Sequence, residues 1–421
     1  METFVQEKAY LFGPVFQHSS VKDASSLDEL GRLVEAAGGV EVGRLVQLVK
    51  RIAPGTYLGA GKIDELKKGI EDTGANVAVF DEELTPAQAR NIEETIETRV
   101  IDRSELIMDI FARRARSHQA NLQVSLAQLK YKLPRLKRMW THLDRMHAAI
   151  GARGPGETQI ETDRRLIRKK IQEYTDKLEN LTAIQQRAIS QRSDFKVSLV
   201  GYTNAGKSTL MKALTSEDTV IADQLFVTLD TLTRKLKIAD AGTCLLSDTV
   251  GFVNKLPHHL INSFHATLSE AMEADLLLHV VDCADPLLME HVAVVEDVLR
   301  QLGCLDIPVC VVANKVDREG AAAGLVSLRT RHPEALPVSA ITGAGLEQLI
   351  GFVRDNMVQS WCEYSLHIPY REGELLARIK KMGKVIRESA DESGMRLLVH
   401  MSASQAQSQR LERFTWPGEH V

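Results

Sequence analysis

Gly201-Tyr202-Thr203-Asn204-Ala205-Gly206-Lys207-Ser208-Thr209 follows directly on the apolar run Val197-Ser198-Leu199-Val200. The spacing is GxxxxGK[ST], in which glycines let the backbone curl round phosphate oxygens and a following helix adds its positive end. Lys207 is placed to reach the β- and γ-phosphates, and the Ser208 hydroxyl to hold Mg2+. The competing reading is a chance glycine turn. A short apolar strand before the loop, and Leu210, Met211 and Leu214 after it, argue against that.

Three further signatures follow in order. Asp248-Thr249-Val250-Gly251 closes the apolar run at Cys244, Leu245 and Leu246. Its carboxylate can hold a water on Mg2+, and the Gly251 amide can face a γ-phosphate. Alone, this pattern is an ordinary strand-end turn. Asn314-Lys315-Val316-Asp317 follows the run from Val309 to Ala313. Asp317 can accept hydrogen bonds from guanine N1–H and the exocyclic amine; adenine offers neither donor there and is rejected. Ser339-Ala340-Ile341, after Leu336-Pro337-Val338, fits a loop whose amides meet guanine O6. Between the first two signatures lies Phe226-Val227-Thr228-Leu229-Asp230. Thr228 is the expected switch threonine, joining Mg2+ only while the γ-phosphate is present. Thr231 and Thr233 compete for that role.

Two residues shape the chemistry. Phe252 stands where many small GTPases place a glutamine that orients the attacking water. A phenyl ring cannot do this, so slow intrinsic hydrolysis accelerated by a partner is expected; the alternative is a greasy switch residue that packs inward and says nothing about rate. Asn204 matches the asparagine that helps K+-stimulated GTPases hold a monovalent cation beside the phosphates, and such a cation would do part of an arginine finger's work. A loop-stabilising hydrogen bond is the other reading.

The chain has 421 residues, 44% of them hydrophobic, with a net charge of −4. It can build several well-packed domains, and any nucleic-acid contact must be local rather than global. Five scattered cysteines give neither a disulfide framework nor a zinc pattern. No run of about 18 uncharged apolar residues is present, and the N-terminus lacks a leader pattern. A cytoplasmic protein, expected as a monomer without a membrane span, is the simplest reading.

The expected fold class is α/β: a P-loop doubly wound sheet, preceded by a small α/β domain with an antiparallel helical hairpin and followed by a small α+β unit. Residues 1–105 alternate strand-like segments (Ala9 to Phe12, Val40 to Val49, Ala78 to Asp81) with helical ones. Within them, Gly59-Ala60-Gly61-Lys62 precedes a helix but lacks phosphate-loop spacing. Residues 106–193 carry two apolar seams, Leu122 to Leu143 and Ile167 to Leu181, separated by Gly151 to Gly156. Pro134 is expected to kink the first helix, and a Thr158–Glu161 capping box to open the second. Arg135, Lys137, Arg138, Arg153, Gly154, Arg164 and Arg165, with Lys130 and Lys132, point to phosphate-backbone contact; a solvated coiled-coil face is the default for such charges. Residues 194–358 form the nucleotide domain. Residues 359–421 suggest strands at Ser365 to Ile368 and Arg396 to Met401 around a helix from Glu372 to Ser389.

The run Gly154-Pro155-Gly156-Glu157-Thr158-Gln159-Ile160-Glu161-Thr162-Asp163-Arg164-Arg165, ahead of the phosphate loop and Asp248 to Phe252, closely resembles the HflX family of ribosome-associated GTPases. Asp223 to Phe226 and Trp140 to Leu143 are also similar to it. Thr231, where many relatives carry proline, and Ala152 depart from the pattern. The resemblance implies a GTPase, here with the Mg2+ and K+ positions read above, that binds GTP/GDP and the large ribosomal subunit. It implies splitting or rescue of stalled ribosomes under stress, or subunit maturation, with the hairpin tip approaching ribosomal RNA. Some relatives are reported to use ATP through the N-terminal region; no adenine signature stands here. The alternatives left open are a GTPase of another RNA or signalling process using the hairpin as a protein-binding coiled coil, a nucleotide-binding scaffold, and an ATP-driven RNA remodeller.

Overall fold

The computed structural model describes residues 6–16, 24–49, 52–144, 155–190, 195–215, 232–239, 241–255 and 271–416. The chain forms two compact units, one of residues 1–181, 222–230 and 253–266, the other of the remainder.

The first unit holds a four-stranded parallel sheet in the order β2-β1-β3-β4, from β1 (Lys8–Phe16), β2 (Val40–Val49), β3 (Val77–Phe80) and β4 (Arg99–Asp102). Parallel strands need crossovers, which helices α1 (Ala24–Ala36), α2 (Ala60–Thr73) and α3 (Pro86–Ile96) supply. One sheet face packs Tyr10, Phe12, Ala78, Phe80 and Val100 against Ile63, Leu66, Ile70, Ile92 and Ile96. The alternate residues Leu11, Val79 and Ile101 are buried too, as both faces of a parallel sheet require. Helix α3 opens as its sequence dictates: Thr85 and Gln88 form a reciprocal capping box, with Pro86 at the first turn.

Helices α4 (Arg103–Arg114), α5 (His118–Asp144) and α6 (Pro155–Ser190) follow. Leu122, Leu126 and Leu178 are buried, with Ile171, Tyr174 and Leu181 packed on them, so the two expected seams meet. Helix α5 continues through Pro134, and α6 opens at Pro155, three residues before the expected cap at Thr158. Pro at a first helical turn has no amide to satisfy there, which suits this earlier start.

Arg135 corrects the basic-surface reading. Its side chain is buried, donating to Leu84 O at 2.6 Å and lying 3.4 Å from Asp102 Oδ2, with the guanidinium 3.5 Å above the Tyr131 ring. It serves the fold and is withdrawn from the residues that meet a polyanion. Arg153 and Gly154 lie outside the described residues, as do the side chains of Lys137, Arg138 and Trp140. Lys130, Lys132, Arg165, Arg168, Lys169 and Lys170 are exposed.

A buried charge cluster braces the same unit. Arg103 donates to Asp81 Oδ1 (2.5 Å) and to Asn254 O (3.1 Å), and pairs with Glu29 (3.0 Å). Lys255 reaches Asp81 Oδ2 at 2.7 Å and Glu82 at 2.6 Å. Asp81 therefore shares its two oxygens between two cations.

In the second unit, β5 (Phe195–Gly201), β6 (Leu232–Ile238), β7 (Gly242–Asp248), β8 (Leu276–Asp282), β9 (Val309–Asn314) and β10 (Leu336–Pro337) form a sheet in the order β10-β9-β8-β5-β7-β6. Only the edge strand β6 is antiparallel. Helices α7 (Lys207–Thr215) and α10 (Leu346–Gln359) cover one face over Leu199, Leu246, Leu278 and Val312. Helices α8 (Leu288–Gln301) and α9 (Ala321–Arg331) cover the other over Val281, Val311 and Ala313. The buried thiols behave as core atoms: desolvation pushes Cys283 up to about 11 and Cys310 up to about 12.

The C-terminal part is a three-stranded antiparallel sheet, β11 (Cys362–Pro369), β13 (Gly394–Met401) and β12 (Lys384–Ala390) in that order, with α11 (Gly373–Met382) and α12 (Ala403–Ser408). The helix expected to reach Ser389 stops at Met382, and β12 replaces its second half. Gly383 makes the break: a Cβ there would lie 2.6 Å from the Val399 side chain and 3.0 Å from His400 O. Ser402 and Gln405 form a capping box that the polar stretch after Met401 had concealed.

Removing the carboxylate in Asp81→Ala leaves Arg103 and Lys255 facing an apolar side chain. The expected loss is about 3–5 kcal/mol in the N-terminal unit. Calorimetric unfolding of the full chain measures it, and a first transition at the wild-type temperature would refute the role given to Asp81.

Candidate nucleotide site

Four strands end at one edge of the sheet, and each delivers a signature. Registers Leu199↔Asp248, Gly201↔Val280 and Asp282↔Asn314 bring the phosphate loop, Asp248 and Asn314 into one row. Ser339 follows β10 beside β9. This carboxyl edge is where open α/β sheets bind ligands.

The loop's glycines answer to their neighbours. A Cβ on Gly201 would sit 2.3 Å from Val280 O, and one on Gly206, whose φ is +94°, 2.4 Å from Asn314 Nδ2. Neither site admits a side chain. Lys207 is buried, and its ammonium donates to Gly201 O (3.1 Å) and Tyr202 O (2.9 Å). Desolvation pulls its pKa down to about 8, with Asp248 opposing the shift and Lys315 adding to it.

Ser208 Oγ donates to Asp248 Oδ2 at 2.6 Å. Hard oxygen donors of this kind, on either side of the phosphate-binding lysine, fit Mg2+. Thr249 turns inward and donates to Leu199 O at 2.7 Å, fixing the turn that carries Gly251. A Cβ on Gly251 would lie 2.9 Å from Thr203 Cα and 3.0 Å from Lys207 Nζ. Phe252 N–H donates to Gly201 O (3.1 Å) and Thr203 N–H to Phe252 O (2.7 Å), so the loop and the segment after Asp248 are joined as in a sheet. The Phe252 ring is 2% exposed. It packs inward, the second of the two readings given to it, and presents no side-chain group to an attacking water.

The base-reading loops also brace the phosphate loop. Asn314 Nδ2 donates to Ala205 O (2.9 Å) while its Oδ1 accepts from Ala340 N–H (3.2 Å). Lys315 Nζ donates to Asn204 O (2.7 Å) and to Asp282 Oδ2 (2.6 Å). Both Asn204 and Lys315 hold left-handed backbone, at φ 61° and 62°. Strain of that kind in non-glycine residues persists only where surroundings over-determine it. Asp317 is exposed, and hydrogen bonding from the Ser339 side chain holds its pKa below the usual carboxylate range. It is an ionised acceptor facing outward, next to the Ile341 side chain's loop. Thr342 N–H donates to Ser339 Oγ (3.1 Å), shaping that loop.

Chain comparisons agree with this geometry. Residues 24–112 match a family profile described as GTP-binding GTPase N-terminal, 114–192 one described as GTP-binding GTPase Middle Region, and 196–315 one described as 50S ribosome-binding GTPase. GTPase HflX of Escherichia coli (strain K12) is 42% identical over 379 residues, 89% of this chain and 88% of the relative. The chain belongs to the HflX family of GTPases. GTPase HflX of Lacrimispora saccharolytica is likewise 42% identical, over 88% of each chain. A crystal structure of a GTP-binding protein from Sulfolobus solfataricus in complex with GDP aligns with a TM-score of 0.44 at 25% identity, over 84% of this chain and 99% of that one. Like other HflX-family GTPases, this protein binds GTP and hydrolyses it to GDP and phosphate.

Of the site residues expected from sequence, Gly201 to Thr209, Asp248 to Phe252, Asn314 to Asp317 and Ser339 to Ile341 line this edge. Phe226, Val227, Thr228, Leu229, Asp230 and Thr231 lie outside the described residues. Sequence reasoning missed Asp282, which fixes Lys315. Its signal was position: it ends the apolar run from Leu276 to Val281, as Asp248 ends another.

Lys207 gives a linkage prediction. Its folded pKa of about 8 lies below its ordinary 10.5, so between those values the unfolded chain holds more protons and stability rises with pH; below about 8 the burial cost is constant. Bound phosphate favours the charged amine. GDP binding at about pH 9 should therefore take up close to one proton, and at about pH 6.5 none from this group. Calorimetry in two buffers of different ionisation enthalpy reads the difference.

Asp317→Asn replaces a double acceptor by a group that can give only one acceptor to guanine. Loss of two charge-assisted bonds should weaken GDP by about 100- to 1,000-fold and raise the relative affinity for xanthosine diphosphate, whose N1 side and C2 oxygen suit an amide. Unchanged GDP affinity in titration would remove Asp317 from base recognition.

Proposed function

We propose that this GTPase is a nucleotide-dependent switch on the large ribosomal subunit, splitting or rescuing stalled ribosomes or assisting subunit maturation. The observation that carries the reading is the match of residues 196–315 to a 50S ribosome-binding GTPase profile, preceded by paired helices with exposed cations. A thin helical pair carrying Lys130, Lys132, Arg165 and Arg168 suits an RNA cavity that a globular domain cannot enter, and each phosphate contact adds salt-dependent affinity. Arg164, Lys137, Arg138, Arg153 and Gly154 belong to the same proposed surface. In this reading the chain divides at about residues 105, 193 and 358, and works in the cytoplasm as a monomer.

Ser208 and Asp248 would hold Mg2+, with Thr228 joining while the γ-phosphate is present. Mg2+, when bound, neutralises charge on the β- and γ-phosphates. The chain's own residues do the rest. Lys207 carries a positive charge to the phosphates, Gly251 offers its amide, and the Phe252 bridge holds Gly251 beside Lys207. Asn204, exposed and left-handed, is positioned to help hold K+. The inward Phe252 ring says nothing about the rate; acceleration of turnover by ribosomes is expected from the switch reading itself.

Sucrose-gradient sedimentation with purified ribosomes tests the reading. Cosedimentation with large subunits is expected in GTP or a non-hydrolysable analogue, and much less in GDP or in ATP alone. Reversing charge at Lys130, Lys132, Arg165 and Arg168 should cut it by at least about tenfold while leaving GDP affinity unchanged. Ribosome binding that ignores both nucleotide and charge reversal would overturn the proposal. Arg135 is omitted, because a reversed charge at that buried site would unfold the unit.

A further inference from the structure

The phosphate loop is tethered in two halves by different devices. Its later half, Asn204 and Ala205, is held through carbonyl oxygens by Lys315 and Asn314. Its earlier half, Gly201 to Thr203, is held among other contacts by two backbone bonds to Phe252, by the Lys207 ammonium on the carbonyls of Gly201 and Tyr202, and by a ring contact. That contact is a stack: the Tyr202 ring lies on the His291 imidazole, centroids 3.7 Å apart and planes within 13°.

His291 is not in any nucleotide signature. It sits in the first turn of α8, which packs beneath the sheet edge. Its Nδ1 lies 3.3 Å from Asp285 Oδ2. Asp285 is itself fixed, since its Oδ1 accepts from Leu287 N–H at 2.8 Å. The imidazole lies beside a carboxylate that the start of its own helix holds in place. Tyr202 is 7% exposed, and its carbonyl is one of the two that hold the Lys207 ammonium.

We infer that His291 is a positioning residue for GTP: anchored by Asp285 and stacked on Tyr202, it fixes the half of the phosphate loop that meets Gly251. The consequence is selective. A diphosphate rests chiefly on the amides after Asn204, whose tethers run through Asn314 and Lys315 and do not involve Tyr202. A γ-phosphate must satisfy Lys207 and the Gly251 amide together, and a Cβ on Gly251 would lie only 2.9 Å from Thr203 Cα. Slack at Tyr202 therefore falls on the triphosphate. The inference uses only the GTPase chemistry and stands whether or not ribosomes are the partner.

The test is calorimetric titration of the full chain with GDP and with a non-hydrolysable GTP analogue, both with Mg2+, for wild type, His291→Leu and His291→Phe. His291→Leu, similar in bulk but without a π-face, should lose about 3- to 10-fold in affinity for the analogue and less than about twofold for GDP. His291→Phe keeps a ring to stack and should recover most of that loss. Equal losses for the two nucleotides, no loss at all, or a phenylalanine variant no better than leucine would each overturn the inference. If His291→Leu does not fold, Tyr202→Leu removes the other ring and must show the same bias toward loss of the analogue; an even loss there overturns it as well.

Discussion

The nucleotide site depends on a backbone held too close to its neighbours to carry side chains. Gly201 runs against Val280 O and Gly206 against the Asn314 amide. The adjacent strand and the Asn314 loop thereby set the path of the phosphate loop. Lys207 is desolvated beside that loop, which depresses its pKa.

Recognition of base and phosphate is mechanically one structure. Asn314 and Lys315 belong to the guanine loop by sequence, yet their polar atoms grip the carbonyls of Ala205 and Asn204. Asp317, the residue proposed to read the base, is exposed. On the other side, Phe252 joins the loop to the segment after Asp248, with its ring inside the protein. In the N-terminal unit the same economy appears as charge: Asp81 holds both Arg103 and Lys255, and Arg135 is spent on a capping carboxylate and a carbonyl.

Much of the fold was legible because periodicity and turn chemistry are local. The apolar runs ending in Asp248 and Asn314 and the paired heptad seams each carry their own signal. The C-terminal part was read less well. A helix was expected to run to Ser389, since Lys384 to Ser389 has no helix breaker of its own; Gly383 is needed there only because Val399 and His400 approach it from another strand. Likewise the charges of the paired helices read as one basic set, and nothing near Arg135 in sequence announced that Asp102 and Leu84 would bury it.

By itself, the sequence determined which residues are proposed to meet nucleotide, because GxxxxGK[ST], DxxG and NKxD encode chemistry in contiguous residues whose spacing no fold can alter. Tertiary structure decided which side chains support them. The Tyr202–His291 stack, the Lys315–Asp282 pair and the inward Phe252 ring join residues distant in the chain. Such contacts arise only when sheet register brings strand ends into one row, and register is set by the packing of both faces at once.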